Sequence, residues 1–164
     1  MLTFNGIGSL GRLGNQMFEY AAIRGIAAKH GYEWCIPPSD RKGIENYSLH
    51  ECFKLSPERG EGVLENQQLT EPYFHFCEEL FDRCPDNVNL HGFFQSWRYF
   101  DHIAETIRED FTFHDENLKP CQEIIESVEE PNMLHVRRGI LILPTLVDSN
   151  GLTLSVDLCI LFNL

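Results

Sequence analysis

Apolar residues recur at helical spacing between Leu13 and His30, at Leu13, Met17, Tyr20, Ala21 and Ala27. The spacing predicts a helix over that span, with Gly31 placed as its C-cap. Ahead of it, Leu2 to Phe4 reads as a short strand entering a glycine-rich turn. Behind it, Tyr32 to Ile36 reads as a second strand, closed by Pro37-Pro38. From Ser39 to Leu69 the pattern weakens into turn residues with one short helical candidate, Leu49 to Leu55, as in a loop-rich insertion. Phe74 to Cys77 and Val88 to Phe94 predict strands. Tyr99 to Asp110 and Asn117 to Glu129 predict helices, with Phe111-Thr112-Phe113 and a capping Asp115 between them. Asn132 to Val136 predicts a last strand, ending in Arg137-Arg138-Gly139.

Strand, glycine turn, helix and strand at the start, then helix and strand near the end, predict an α/β domain with a largely parallel sheet. In such sheets ligands sit outside the carboxyl ends of the strands. Both chemically suggestive segments of this chain fall there.

Composition narrows the ligand. Thirteen basic against 25 acidic residues leave a formal net charge of -12 over 164 residues. That balance argues against broad nucleic-acid binding, which needs many cations near phosphates, so nucleic acid is not an expected partner. It leaves room for one small phosphate site served by a local pair of arginines. Six cysteines, Cys35, Cys52, Cys77, Cys84, Cys121 and Cys159, form no C-x-x-C pair and no Cys/His cluster of zinc spacing. They read as thiols in a reducing compartment, and no metal or cofactor is expected. The start, Met1 to Gly6, lacks the basic and apolar regions of a signal peptide, and no run approaches a membrane span. The expected location is therefore the cytoplasm, with peripheral membrane association left open.

Gly6-Ile7-Gly8-Ser9-Leu10-Gly11 matches G-x-G-x-x-G between a strand and a helix. Glycines there admit close approach of an anion, and a helix start offers free N–H groups. Three readings stand: a tight turn that uses glycine for its dihedrals alone, a phosphate- or sugar-proximal loop, or a dinucleotide fingerprint. The last lacks the acid expected at the end of the second strand, where Cys35-Ile36-Pro37-Pro38 stands. Gly14, Asn15 and Gln16 follow in the first helical turn, and the two amides offer both donors and acceptors to a polar ligand.

Met133-Leu134-His135-Val136-Arg137-Arg138-Gly139 sets two arginines at the end of an apolar strand. Alternation puts His135 and Arg137 on one face and Arg138 on the other. A guanidinium matches paired phosphate oxygens and neutralises charge on a departing diphosphate. A solvated or ion-paired surface pair is the other reading.

Taken together, these stretches resemble the α-1,2-fucosyltransferases of glycosyltransferase family 11. Gly11-Arg12-Leu13-Gly14-Asn15-Gln16-Met17-Phe18-Glu19-Tyr20-Ala21 is similar to that family's G-x-L-G-N-Q-M-F-x-Y-A signature. Gly92-Phe93-Phe94-Gln95-Ser96-Trp97-Arg98-Tyr99-Phe100 resembles its G-[YF]-F-Q-S-x-x-Y-F block, Ile107 to Phe113 its I-R-x-x-F-x-F stretch, and His135 to Gly139 its H-x-R-R motif. The resemblance implies the Rossmann-like N-terminal half of a GT-B-type glycosyltransferase, over residues 1–139. It implies metal-independent, inverting transfer of L-fucose from GDP-fucose to the 2-hydroxyl of a β-galactoside glycan acceptor. By the same resemblance Arg137 contacts the diphosphate, with Arg138 and His135 in support and His135 with Arg137 as the catalytic pair. Gly11, Gly14, Asn15 and Gln16 would face the donor cleft.

The resemblance ends at Gly139. Ile140 and Leu141 replace the Asp and aromatic residue that usually follow, and residues 140–164 form an atypical apolar tail. The expectation is a truncated or frame-shifted chain of weak or no activity. Two alternatives remain: a non-catalytic nucleotide-sugar or glycan-binding remnant, and a nicotinamide-dependent oxidoreductase resting on Gly6 to Gly11.

Overall fold

Strand β1, Leu2–Thr3, is buried on both faces at the centre of a five-stranded sheet. The computed structural model describes residues 1–42, 46–56 and 60–127. The remaining strands are β2 (Trp34–Ile36), β3 (Gly60–Glu61), β4 (Gln67–Thr70) and β5 (Val88–His91), in the order β3-β2-β1-β5-β4. Every pairing is parallel: Thr3 lies opposite Cys35 on one side and Asn89 on the other, and Gln67 to Thr70 run beside Val88 to His91. A parallel sheet needs cover on its faces, which accounts for a central strand with no exposed residue. The fold class is thus α/β with a parallel sheet, as the residue pattern predicts, and Rossmann-like, as the resemblance implies.

Helix α1, Leu13–His30, has the predicted limits and ends at Gly31 in the left-handed conformation, φ 69°. It is buried continuously from Glu19 to Ala27, so more than a narrow stripe faces protein. Gly25 marks its tightest contact: a Cβ there would stand 2.1 Å from the Tyr99 carbonyl oxygen. Tyr99 itself is fully buried, packs edge-on to Phe94 and accepts the Cys77 N–H at 2.9 Å.

Four expectations need correction. The stretch from Ser39 to Leu69 is not merely loop: besides α2 (Leu49–Cys52) it contributes β3 and β4 to the sheet. Both are edge strands with little apolar content, so neither has the alternation of a half-buried strand. Phe74 to Cys77 is not a strand; its rings stack on nearby loops, and Cys77 leads into an unforeseen helix, α3 (Glu78–Arg83). Val88 to Phe94 pairs only as far as His91. Finally, the predicted helix from Tyr99 divides into two 3-10 turns, Trp97–Tyr99 and Asp101–Ile103, before α4 (Ala104–Asp110). The backbone of Tyr99 and Phe100 is pressed against Gly25, and Phe100 leaves helical geometry at φ -138°, ψ 8°.

Met1–Asp115 forms one compact unit. A second begins at Glu116, and its described part belongs to α5 (Asp115–Glu126). The expected strand Asn132 to Val136, and the expected boundary between residues 139 and 140, lie outside the described residues.

Candidate functional site at the carboxyl edge of the sheet

Because all five strands run in one direction, the segments that leave β1, β2, β4 and β5 meet at a single edge. The order breaks between β1 and β5, neighbours in space but not in sequence. That is where an open parallel sheet leaves a crevice for ligand.

The β1 segment is the glycine turn. Its inner N–H groups are satisfied locally: Ile7 donates to the Phe4 carbonyl at 3.2 Å, and Ser9 and Leu10 donate to Gly6 at 2.9 and 3.1 Å. Gly11 closes the turn at φ 76°, and a Cβ there would overlap the Asn15 amide nitrogen at 1.9 Å. Both its dihedral and the folded-over Asn15 side chain demand glycine. The helix that follows begins without help. Its N-cap, Arg12, makes no side-chain cap, and no acidic residue occupies the first turn. Asn15 and Gln16 donate their N–H groups to the Arg12 carbonyl at 2.9 and 3.1 Å, so the Leu13 and Gly14 N–H groups and the partial positive charge of that end are what is left for another partner.

Gly14 differs from Gly11. It is exposed, helical, and a Cβ there would meet nothing within 4 Å. Nothing within the described fold requires glycine, although glycine costs a helix ~1 kcal/mol relative to alanine.

The sequence-predicted residues Gly11, Gly14, Asn15 and Gln16 are therefore brought together at one helix end. Asn15 accepts a hydrogen bond from the Gln95 amide at 2.7 Å, tying the β1 turn to the β5 loop. Gln16 is fully buried, and its amide serves the backbone instead: Nε2 donates to the Asn46 carbonyl, and Oε1 accepts the Ser48 N–H at 3.1 Å. His135, Arg137 and Arg138 lie outside the described residues.

Several residues at this edge carried no signal when read singly. Arg41 reaches from the β2 loop to the Asn5 carbonyl, bringing a cation to the root of the turn. His91 ends β5, with Nδ1 3.8 Å from where a Gly6 Cβ would stand. Asn5 donates its N–H to Asn89 at 2.8 Å and its side-chain amide to Leu64 at 2.8 Å, while its Oδ1 is buried without a partner. Glu71 leaves β4 and accepts the N–H groups of Phe93 and Phe94 at 3.1 and 2.8 Å. Burial pushes its carboxyl above the usual carboxylate range, and those two N–H groups pull the other way. A strand-end position is the one feature that singles out His91 and Glu71, and it is readable only once the strands are known.

Among the described residues no group of three or more His, Cys, Asp or Glu is arranged to hold a metal ion. Two surface hollows, of about 340 and 320 Å³, lie against α3. No helix of the described residues is long and apolar enough to cross a membrane.

Known proteins are similar to this chain in sequence. It is 31% identical over 140 residues to galactoside α-(1,2)-fucosyltransferase 1 of Plecturocebus brunneus. The human protein of that name is 30% identical over 140 residues, and that of Sus scrofa 29% over 143. The chain is related to the galactoside α-(1,2)-fucosyltransferases. The match takes in 79% of this chain and 37% of each relative, so the chain spans well under half the length of those enzymes. No family model matches it, and no solved structure does. Among the described residues, Gly11 to Ala21, Gly92 to Phe100 and Ile107 to Phe113 are the stretches that resemble fucosyltransferase motifs.

Proposed function

We propose that this chain is the N-terminal, Rossmann-like part of a GT-B-type galactoside α-1,2-fucosyltransferase. In this reading it takes part in inverting transfer of L-fucose from GDP-fucose to the 2-hydroxyl of a β-galactoside. The observation that carries the reading is the sequence relationship to enzymes of that name. The carboxyl-edge geometry supports it. An uncapped helix start, an exposed glycine with open space above it and the nearby Arg41 suit an anionic donor.

The division of labour follows from chemistry. Gly11 lets Asn15 fold over the turn, Gly14 leaves room for the donor, and Gln16 holds the 46–48 backbone behind them. Arg137, with Arg138 and His135, takes the diphosphate and neutralises charge as GDP departs. No metal step is part of the proposal. A cytoplasmic location, peripheral to a membrane, accompanies it.

The test is calorimetric titration of the full chain with GDP-fucose and with NAD, before and after Gly14→Ala. GDP-fucose is expected to bind and NAD is not. The substitution is expected to leave the fold at least as stable while weakening GDP-fucose, because its methyl group enters the donor's space. Binding of NAD without GDP-fucose, or unchanged GDP-fucose affinity in the variant, overturns the assignment.

A further inference from the structure

Two stacked aromatic pairs stand on the segments that leave β4 and β5 at the carboxyl edge. Tyr73 and His75 stack at 4.3 Å with planes 7° apart, and Phe74 stacks on Phe93 at 6.1 Å and 25°. Phe74 is 74% exposed and Tyr73 48%. A single exposed ring is ordinary on a protein surface. A run of neighbouring exposed rings, packed on a second loop, is a patch that calls for a partner.

The support beneath the patch is built for position. Phe94 is held at φ 48°, in the left-handed region that non-glycine residues avoid. Its N–H and that of Phe93 are fastened to Glu71, whose carboxylate also receives the Tyr99 hydroxyl at 3.4 Å. Strain of this sort costs on the order of 1 kcal/mol and gathers at ligand clamps. Here it fixes the ring on which Phe74 lies.

We propose that the Phe74–Phe93 stack is an acceptor subsite that takes the pyranose ring of a β-galactoside on the outer face of Phe74. This rests on the fucosyltransferase reading above. Galactose carries an axial 4-hydroxyl, which leaves its C3, C4 and C5 hydrogens together on one apolar face. That face matches a flat exposed ring, and the hydroxyl rim finds hydrogen-bonding groups in His75 and Gln95, both exposed. Charge favours a neutral sugar over a nucleotide here: Glu71 to Glu79 contains three glutamates and no Lys or Arg. Arg12 and Arg41 belong to the β1 and β2 segments, and Arg98 is engaged over the Phe76 ring, 4.1 Å from its centre. The shelf is also continuous with the glycine turn, through His91 beside Gly6 and through the Asn15–Gln95 bond. Donor and acceptor would thus occupy adjoining parts of one edge.

The experiment titrates the full chain with methyl β-D-galactopyranoside, followed by saturation-transfer NMR, and with GDP, followed by calorimetry. Phe74→Ala is expected to weaken the galactoside about tenfold, to remove transfer to its C3–C5 hydrogens and to leave GDP unchanged. Phe74→Leu, which keeps an apolar side chain without the ring, is expected to behave as Phe74→Ala and serves if the alanine variant fails to fold. Undiminished galactoside binding in these variants overturns the subsite. So does loss of GDP in place of galactoside, which would make the shelf a nucleobase site. A wild-type chain that binds GDP but not the galactoside overturns the subsite alone. One that binds neither overturns the fucosyltransferase reading with it.

Discussion

Glu19 occupies the x position of the G-x-L-G-N-Q-M-F-x-Y-A signature and is fully buried on α1, with neither carboxylate oxygen hydrogen-bonded. Burial pushes its carboxyl up to about 9, so it is neutral at pH 7. The folded state therefore binds this proton far more tightly than the unfolded chain does. The sign follows directly: the group leaves stability untouched below the unfolded value near 4.5, erodes it as pH rises, and levels off above about 9. Glu19→Gln removes the titration while keeping the shape. The variant is expected to gain up to about 3 kcal/mol over the parent at pH 7 and to match it near pH 4.5. Urea unfolding across that range checks this; a constant difference between the two proteins would refute it.

At the scale of elements, α1 was fully legible because a long run of spaced apolar residues and a terminal glycine leave few alternatives. Short elements were not. β4 is four residues, Gln67 to Thr70, with Leu69 its one apolar side chain, and nothing local distinguishes it from loop. It is a strand because β5 offers it a ladder of hydrogen-bonding groups. The aromatic run Phe74 to Cys77 erred the other way: strand-favouring residues were recruited by ring stacking. The packing of α1 on the Trp97–Tyr99 turn gives an element-scale prediction. Gly25→Ala sets a methyl carbon 2.1 Å from the Tyr99 carbonyl oxygen, which is backbone and has little room to move. A loss of about 2–3 kcal/mol is expected, as for an overpacked core. An unchanged thermal midpoint would show that the contact relaxes freely.

Over the whole of the first unit, one buried ion pair fastens distant parts of the chain. Arg24 on α1 meets Asp110 at the end of α4, Nε to Oδ2 3.0 Å, and the Tyr20 hydroxyl donates to the same oxygen at 3.1 Å. The Arg24 guanidinium also lies over the Trp34 ring of β2, 5.6 Å from its centre. Such a pair contributes little net stability when intact, yet removing one partner strands a buried charge. Arg24→Met is expected to cost about 3–5 kcal/mol, with urea unfolding as the measure. The double variant Arg24→Met with Asp110→Asn should recover a large part of that loss. No recovery would mean that Arg24 acts through packing on Trp34 rather than charge.

By itself the sequence determined the α/β class, the full extent of α1 and the signature that links this chain to the fucosyltransferases. Each of these rests on local spacing or on residues adjacent in the chain. Only the tertiary structure decided which loops share an edge. It brought Arg41 to the Asn5 carbonyl and His91 beside Gly6, set Glu71 and Phe74 against the loop after β5, and separated Asn15 from Gln16, adjacent amides with opposite fates. Asn15 faces the edge and meets Gln95, whereas Gln16 points inward to the 46–48 backbone. The physical reason is the 100° step between successive helical residues, whose outcome depends on what the rest of the fold sets against each face.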